Sequence, residues 1–220
     1  GRRAWIALDL SSKKDLTAAA IVFEMDDGSL DVVTEYWTPR DTLEQRERED
    51  RAPYSVWVRE GFLHAVPGRA IGYAWVANRL REWIERFDVQ GLGFDRWRID
   101  DLLRELEEEG VETHRKGDKP EIGVKLIPCG QGFKDMSPAI EELEERVQNG
   151  RIRIQSNPVT NMCASGAVTV QDPAGNRKFD KRKATARIDG MVAITMGVLI
   201  ATRDDEDGGT VYDEHDLAVA

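Results

Sequence analysis

Trp5-Ile6-Ala7-Leu8-Asp9-Leu10 sets four apolar residues ahead of an aspartate, almost at the start of the chain. A short continuous apolar run of this kind reads as a strand buried on both faces. Its carboxylate is delivered at the strand's C-terminal end. Two further strand-like runs follow. Residues 17–25 are rich in Ala, Ile, Val and Phe, and residues 30–37 continue the pattern. Between them lies Asp26-Asp27-Gly28-Ser29, a turn of hairpin type. The chain therefore opens with three consecutive strands, at least two of them joined as an antiparallel hairpin.

Working outward, residues 39–68 interrupt the pattern. They begin with a charged, helix-compatible run over 42–51 and continue through Tyr54, Val56, Trp57, Phe62 and Leu63. An irregular excursion of this length inside a domain is either a functional lid or a surface helix with an aromatic anchor. Val76, Leu80, Trp83, Ile84 and Phe87 then recur at helical spacing. A strand over 89–95 follows and again ends in aspartate, Asp95. Ile99, Leu102, Leu103 and Leu106 form the next helical stripe, stopped by Gly110. Residues 124–128 read as a strand. Ser137-Pro138 predicts a helix start, with a hydroxyl cap and proline in the first turn; Ile140, Leu143 and Val147 are its apolar stripe and Gly150 its end. Residues 151–155 read as a short strand and 158–167 as a helix. Residues 168–179 form a hairpin around Asp172-Pro173-Ala174-Gly175-Asn176. The last strong element is a helix over about 186–201, apolar nearly all round and so buried. The order predicts an α/β domain over 1–202 with a mixed sheet, three antiparallel strands and then parallel additions, flanked by helices. An acidic, flexible tail is expected over 203–220.

The apolar run over 191–201 is far below the roughly 20 residues needed to cross a bilayer, and no secretory leader is visible. The cysteines Cys129 and Cys163 stand outside any CxxC, and the three histidines are scattered, so no zinc spacing exists. Both cysteines read as reduced core residues. The formal net charge of -10 by itself argues against a nucleic-acid partner, because phosphate contacts require Lys and Arg. The bases are not spread evenly, however. They concentrate between Arg177 and Arg187, with a pair at Lys13-Lys14, and an acidic protein can still carry a local basic stripe.

Asp9 and Asp95 each close a buried strand. If those strands are adjacent and parallel, both carboxylates emerge at the same strand ends, where open α/β sheets place their ligands. Asp189 falls in the first turn of the buried last helix, where the helix dipole favours an anion. Three acids from distant parts of the chain suit hard divalent cations such as Mg²⁺ or Mn²⁺, and a pair of such ions can clamp a phosphodiester. Spacing alone favours a plainer possibility: aspartate is common at strand ends, turns and helix caps.

A longer series of residues narrows this choice. Gly130-Gln131-Gly132-Phe133, Ser137-Pro138-Ala139, Glu142-Leu143-Glu144, Asn149-Gly150-Arg151-Ile152, Asn157-Pro158-Val159, Gly175-Asn176, Asp180-Lys181-Arg182-Lys183 and Ile188-Asp189-Gly190-Met191-Val192-Ala193 follow one another in order. Upstream stand Leu8-Asp9-Leu10-Ser11-Ser12 with Asp15-Leu16-Thr17-Ala18, Gly61-Phe62-Leu63 with Pro67-Gly68, and Gly93-Phe94-Asp95-Arg96-Trp97. As an ordered series over about residues 4–200, this resembles the nuclease half of the tailed-phage large terminases. The resemblance implies a ribonuclease H-like fold and an endonuclease that cleaves concatemeric double-stranded DNA with two divalent cations, Mg²⁺ or Mn²⁺. It implies Asp9, Asp95 and Asp189 as catalytic and metal-binding acids, with Asp15 and Asp180 as further metal candidates. Lys183 matches a lysine just ahead of the final acid. Lys13, Lys14, Arg177, Lys178, Lys181 and Arg182 are candidate DNA-backbone contacts, which position a duplex without reading its sequence. The implied partners are a terminase ATPase domain, a small terminase subunit and a portal protein. The implied setting is the host cell cytoplasm, at the procapsid portal during packaging.

No GxxxxGK[ST] occurs in the chain, so no ATPase is expected of these residues. Three other readings compete: another ribonuclease H-like nuclease such as a resolvase, a non-catalytic module that docks on the portal, and a sugar-kinase-like ATPase. The last needs a glycine-rich phosphate loop between the first two strands, and Ser11-Ser12-Lys13-Lys14 contains no glycine.

Overall fold

The structure, a computed structural model, describes residues 1–11, 16–95 and 99–203. The three opening strands are present: β1 (Arg3–Asp9), β2 (Thr17–Glu24) and β3 (Leu30–Pro39), paired antiparallel in the order β1-β2-β3. The turn between β2 and β3 carries Gly28 at φ 73, a left-handed conformation that glycine adopts without strain. After β3 come a short 3₁₀ turn (Arg40–Thr42), α1 (Leu43–Asp50), α2 (Tyr54–Arg59) and β4 (His64–Val66). Then follow α3 (Ala74–Arg86), β5 (Asp88–Phe94), α4 (Ile99–Glu108), β6 (Thr113–His114), β7 (Val124–Pro128), α5 (Phe133–Gln148), β8 (Ile152–Ile154), α6 (Pro158–Gly166), the hairpin β9 (Thr169–Gln171) and β10 (Arg177–Phe179), and α7 (Asp189–Thr202).

The main sheet runs β4-β3-β2-β1-β5-β7-β6, with β8 also paired on β3. Every pairing outside β1-β2-β3 in this sheet is parallel. This is the mixed sheet expected from the sequence. The excursion over 39–68 belongs to it through β4, and its Tyr54, Trp57 and Leu63 are buried.

Side-chain alternation along β1 divides the core. Ala4, Ile6 and Leu8 pack with α3 and α4 on one face, through Val76, Leu80, Trp83, Leu102 and Leu106. Trp5 and Ala7 point to the other face, against Ile188, Val192, Met196 and Ile200 of the α7 region. Asp9 shares their parity, so it is directed to the α7 side. α7 lies on β1 and β2 and is flanked by α5 and α6. It is covered on all sides, with eleven consecutive or near-consecutive positions between Asp189 and Ile200 buried. Each large aliphatic side chain buried there contributes about 1.5–3 kcal/mol. Small residues permit the close approach: a Cβ on Gly197 would stand 2.9 Å from Val22 and 3.5 Å from Ala7. Among the described residues no helix is long and apolar enough to cross a membrane.

Several boundaries shift by one or two residues, β5 ending at Phe94 rather than Asp95 among them, and two differ by more. α5 begins at Phe133, with Gly132 as its N-cap, so Pro138 lies inside the helix and Ser137 does not cap it. The hydroxyl of Ser137 instead donates to Glu141 Oε1 (3.2 Å) and accepts from the Arg177 amide (3.1 Å). It thereby ties the β9-β10 hairpin to α5. α7 starts at Asp189 rather than 186, because the preceding residues are held elsewhere: the Thr185 amide donates to the Gly166 carbonyl at 3.2 Å, and Arg187 pairs with Asp50.

Candidate active site

β1 and β5 are parallel neighbours whose last paired residues are Leu8 and Phe94. Asp9, the last residue of β1, and Asp95, the residue just past β5, therefore stand side by side at the same strand ends. Asp189 is brought to them by α7, which packs on β1 and β2. The adjacency of the two strands was the condition on which the sequence reading rested.

Asp9 and Asp189 are deeply buried, at 4% and 1% exposure. They meet at Lys181, whose Nζ donates to Asp9 Oδ2 (2.8 Å) and to Asp189 Oδ1 (2.9 Å). The other oxygens are also bound. Gln131 Nε2 donates to Asp9 Oδ1 at 3.3 Å, and the Leu16 amide donates to Asp189 Oδ2 at 3.3 Å. Burial pushes the Asp9 carboxyl above its ordinary value, against the charge and hydrogen bonds of Lys181 and the hydrogen bond of Gln131; the nearby charge of Asp95 adds to the rise. Lys181 moves up too: burial alone would lower it, and the two carboxylates outweigh burial. Lys181 thus bridges two buried acids, with a third acid, Asp95, close by.

Such a donor set fits hard divalent cations. It consists of carboxylate oxygens from three separate elements, and a cation, the Lys181 ammonium, already stands between two of them. Among the described residues, no three Asp, Glu, His or Cys side chains are grouped so that they could hold a metal ion as they stand.

The remaining expected site residues are distributed as follows. Asp180 is engaged locally. Its Oδ1 accepts from the Arg182 amide at 2.9 Å, which with the nearby positive charge of Arg182 holds its carboxyl below the ordinary range. Arg177 forms a two-pronged pair with Glu144 of α5 (2.8 and 2.7 Å). The Lys178 ammonium lies 4.6 Å from the centre of the Phe133 ring. Arg182 and Lys183 are exposed. Asp15, Lys13 and Lys14 lie outside the described residues, as does the acidic tail from 204 onward. Cys129 and Cys163 are buried and free, and burial pushes both thiols up to about 12.

Two contributors were not singled out by sequence. Gln131 belongs to the Gly130-Gln131-Gly132-Phe133 run, which stands just after a parallel strand; that position was the available signal. Asp50 was hidden in a run of charges on α1. It holds Arg187, two residues before Asp189, through contacts of 2.8–3.0 Å, and also accepts from the Tyr54 hydroxyl at 2.8 Å. A cavity of about 180 Å³ lies between Asp50, Lys181, Arg187 and Asp189. The excursion therefore forms one wall of the site.

Comparison with known proteins agrees with this geometry. Residues 1–205 match the family described as terminase large subunit, endonuclease domain. The chain is 47% identical over 213 residues to the terminase large subunit of Enterobacteria phage HK97, covering 96% of this chain and 40% of that protein. It is 26% identical over 208 residues to protein YmfN of Escherichia coli (strain K12), covering 90% of this chain and 43% of that protein. The chain thus spans less than half the length of these curated relatives. Among solved structures, the HK97 bacteriophage large terminase superposes with a TM-score of 0.79 at 48% identity, over 90% of this chain and 39% of that one. The large terminase nuclease of thermophilic phage G20c shares the fold at 12% identity, with a TM-score of 0.56 over 92% of this chain and 83% of that one. The fold is ribonuclease H-like, and the chain belongs to the family of terminase large subunit endonuclease domains of phages.

Proposed function

We propose that this chain hydrolyses phosphodiester bonds of concatemeric double-stranded DNA during phage genome packaging, with two divalent cations, Mg²⁺ or Mn²⁺, held by Asp9, Asp95 and Asp189. The observation that carries the reading is the meeting of Asp9 and Asp189, two buried carboxylates, at one ammonium, with Asp95 emerging beside Asp9. Buried carboxylates are costly unless they are paired with or bind a cation. The G20c relative, solved with bound magnesium and with bound cobalt, supports the choice of a divalent ion.

When bound, the cations would supply an activated water and stabilise the leaving oxygen. The chain's own residues hold the site ready. The Gln131 amide and the Leu16 N–H each fix one carboxylate oxygen, so that Asp9 and Asp189 present their remaining lone pairs in a set direction. The dipole of α7 favours the ionised form of Asp189 at its first residue. The exposed Arg182 and Lys183, beside the cluster in sequence, suit contacts to phosphate; Lys13, Lys14 and Lys178 are further candidates for such contacts, and Asp15 is a further candidate metal ligand. In the whole terminase, an ATPase domain, a small subunit and the portal are the expected partners, in the host cytoplasm. The excursion over 39–68 and the 168–179 hairpin flank the site and would shape the duplex groove.

Supercoiled plasmid incubated with the chain in Mn²⁺, Mg²⁺ or EDTA tests this reading. Nicking is expected with either metal, none in EDTA, and none from an Asp189→Ala variant of normal fold. Cutting that persists in EDTA or in that variant contradicts the proposal.

A further inference from the structure

Lys181 stands apart from the other basic residues of its run. Arg182 and Lys183 project into solvent, whereas the Lys181 ammonium turns inward to Asp9 and Asp189. The backbone around it is pinned. The Asp180 amide donates to the Val168 carbonyl at 2.9 Å, the Ala184 amide to the Asp180 carbonyl at 3.0 Å, and the Thr185 amide to the Gly166 carbonyl at 3.2 Å. Arg187 is tied to Asp50. The side chain itself is not enclosed: 39% of it is exposed, against 5% and 2% for the two carboxylates it bridges. A four-carbon stem with several soft torsions can carry the ammonium out of the cluster without moving the pinned backbone. It cannot stay where it is if a divalent cation binds the same oxygens, because two positive centres a few ångströms apart in a buried site repel strongly.

We propose that Lys181 is a displaceable internal counter-ion: it holds Asp9 and Asp189 together in the metal-free chain and is expelled when a divalent cation takes their oxygens. This rests on the reading of these acids as metal ligands. Lys181 then has two effects. It keeps two buried carboxylates from facing one another unneutralised, and it competes with the metal, raising the concentration at which the site loads. Once expelled, its ammonium is exposed to solvent, as the side chains of Arg182 and Lys183 already are.

The test is Mn²⁺ binding, followed by calorimetry and by electron paramagnetic resonance, to the chain and to Lys181→Met, Lys183→Met and Asp189→Asn variants. Thermal midpoints in EDTA are measured alongside. Lys181→Met should bind Mn²⁺ at least about tenfold more tightly and melt at lower temperature in EDTA, while Lys183→Met changes neither. Equal or weaker binding by Lys181→Met overturns the proposal and leaves the metal site standing. Binding by Asp189→Asn that matches the wild-type chain removes the site reading, and this proposal with it. A second measurement needs only the wild-type chain: acetylation of lysine amines, read by mass spectrometry, with and without Mg²⁺. Modification of Lys181 should rise several-fold with Mg²⁺ while Lys183 is unchanged. A Lys181 signal indifferent to Mg²⁺ also overturns the proposal.

Discussion

A single carboxylate and a carboxylate cluster sit on opposite faces of the same sheet, and they are held in different ways. On the α3 face, Glu35 of β3 meets an arginine and a histidine. Arg79 of α3 donates to it through Nε at 2.7 Å and through Nη2, and His64 Nε2 of β4 lies at 3.2 Å. On the α7 face, two acids share the single ammonium of Lys181, with Asp95 adding charge. The acids respond in opposite directions. Burial would raise Glu35, but its bonds to His64 and Arg79 outweigh burial and hold it below the usual carboxylate range. Burial wins at Asp9, which is raised. A carboxylate held by an arginine and a histidine from neighbouring elements is a structural tie. Two buried carboxylates meeting at one ammonium, with a third acid nearby, form an arrangement of the kind that suits a metal cation. The first joins β3, β4 and α3; the second stands where β1 and β5 end and α7 begins.

The comparison can be broken on either face. The largest effect is expected from Asp9→Asn or Asp189→Asn. Each should lower DNA cleavage by at least about 100-fold, above the range for residues that only orient a metal ligand. The same variants should fold normally by circular dichroism. Next, Gly190→Ala should cost about 1–3 kcal/mol in denaturant unfolding. Its Cβ would meet the Tyr36 hydroxyl at 2.3 Å, and that hydroxyl is fixed by Thr160 at 2.7 Å. Because the clash falls next to Asp189, Mn²⁺ affinity should fall as well. A smaller change should follow Gln131→Ala. Losing a group that orients Asp9 should weaken metal binding by about tenfold, the lower end for such partners, with little change in thermal midpoint. The smallest effect should come from Glu35→Gln, on the order of 1 kcal/mol of stability once the partial exposure of Arg79 is allowed for, with unchanged metal affinity. The sign in pH follows from the lowered Glu35 value. Its stabilisation is present above the ordinary carboxylate range and is lost as pH falls through the lowered folded value. Glu35→Gln should therefore remove part of the acid sensitivity of the melting temperature.

Much of the fold was legible because its central elements carry strong periodic signals. β1 to β3, β5, β7 and the stripes of α3, α4 and α7 could be read from apolar spacing. The short strands β4, β6 and β8 could not all be read. β4 and β6, of three and two residues, are too brief to show alternation and exist by pairing with a neighbour. The start of α5 was misread because Ser137-Pro138 has the composition of a cap, while Gly132 and the hairpin contact at Arg177 decide the boundary. At the site, the placement of Asp9 and Asp95 followed from strand order, and Asp189 from the solitary acid heading an apolar helix. Lys181 could not be separated from Arg182 and Lys183 in sequence, because the difference is the direction of one side chain. Asp50 is more distant still, joined to Arg187 only by tertiary folding.

The central claim is that Asp9, Asp95 and Asp189 hold divalent cations, and anomalous diffraction from crystals of this chain soaked in Mn²⁺ tests it most directly. The account predicts manganese peaks on the carboxylate oxygens of these three residues, with the Lys181 ammonium moved away from Asp9 and Asp189. Manganese bound only to other side chains, or saturating Mn²⁺ with no peak at these acids and Lys181 still between them, would contradict it.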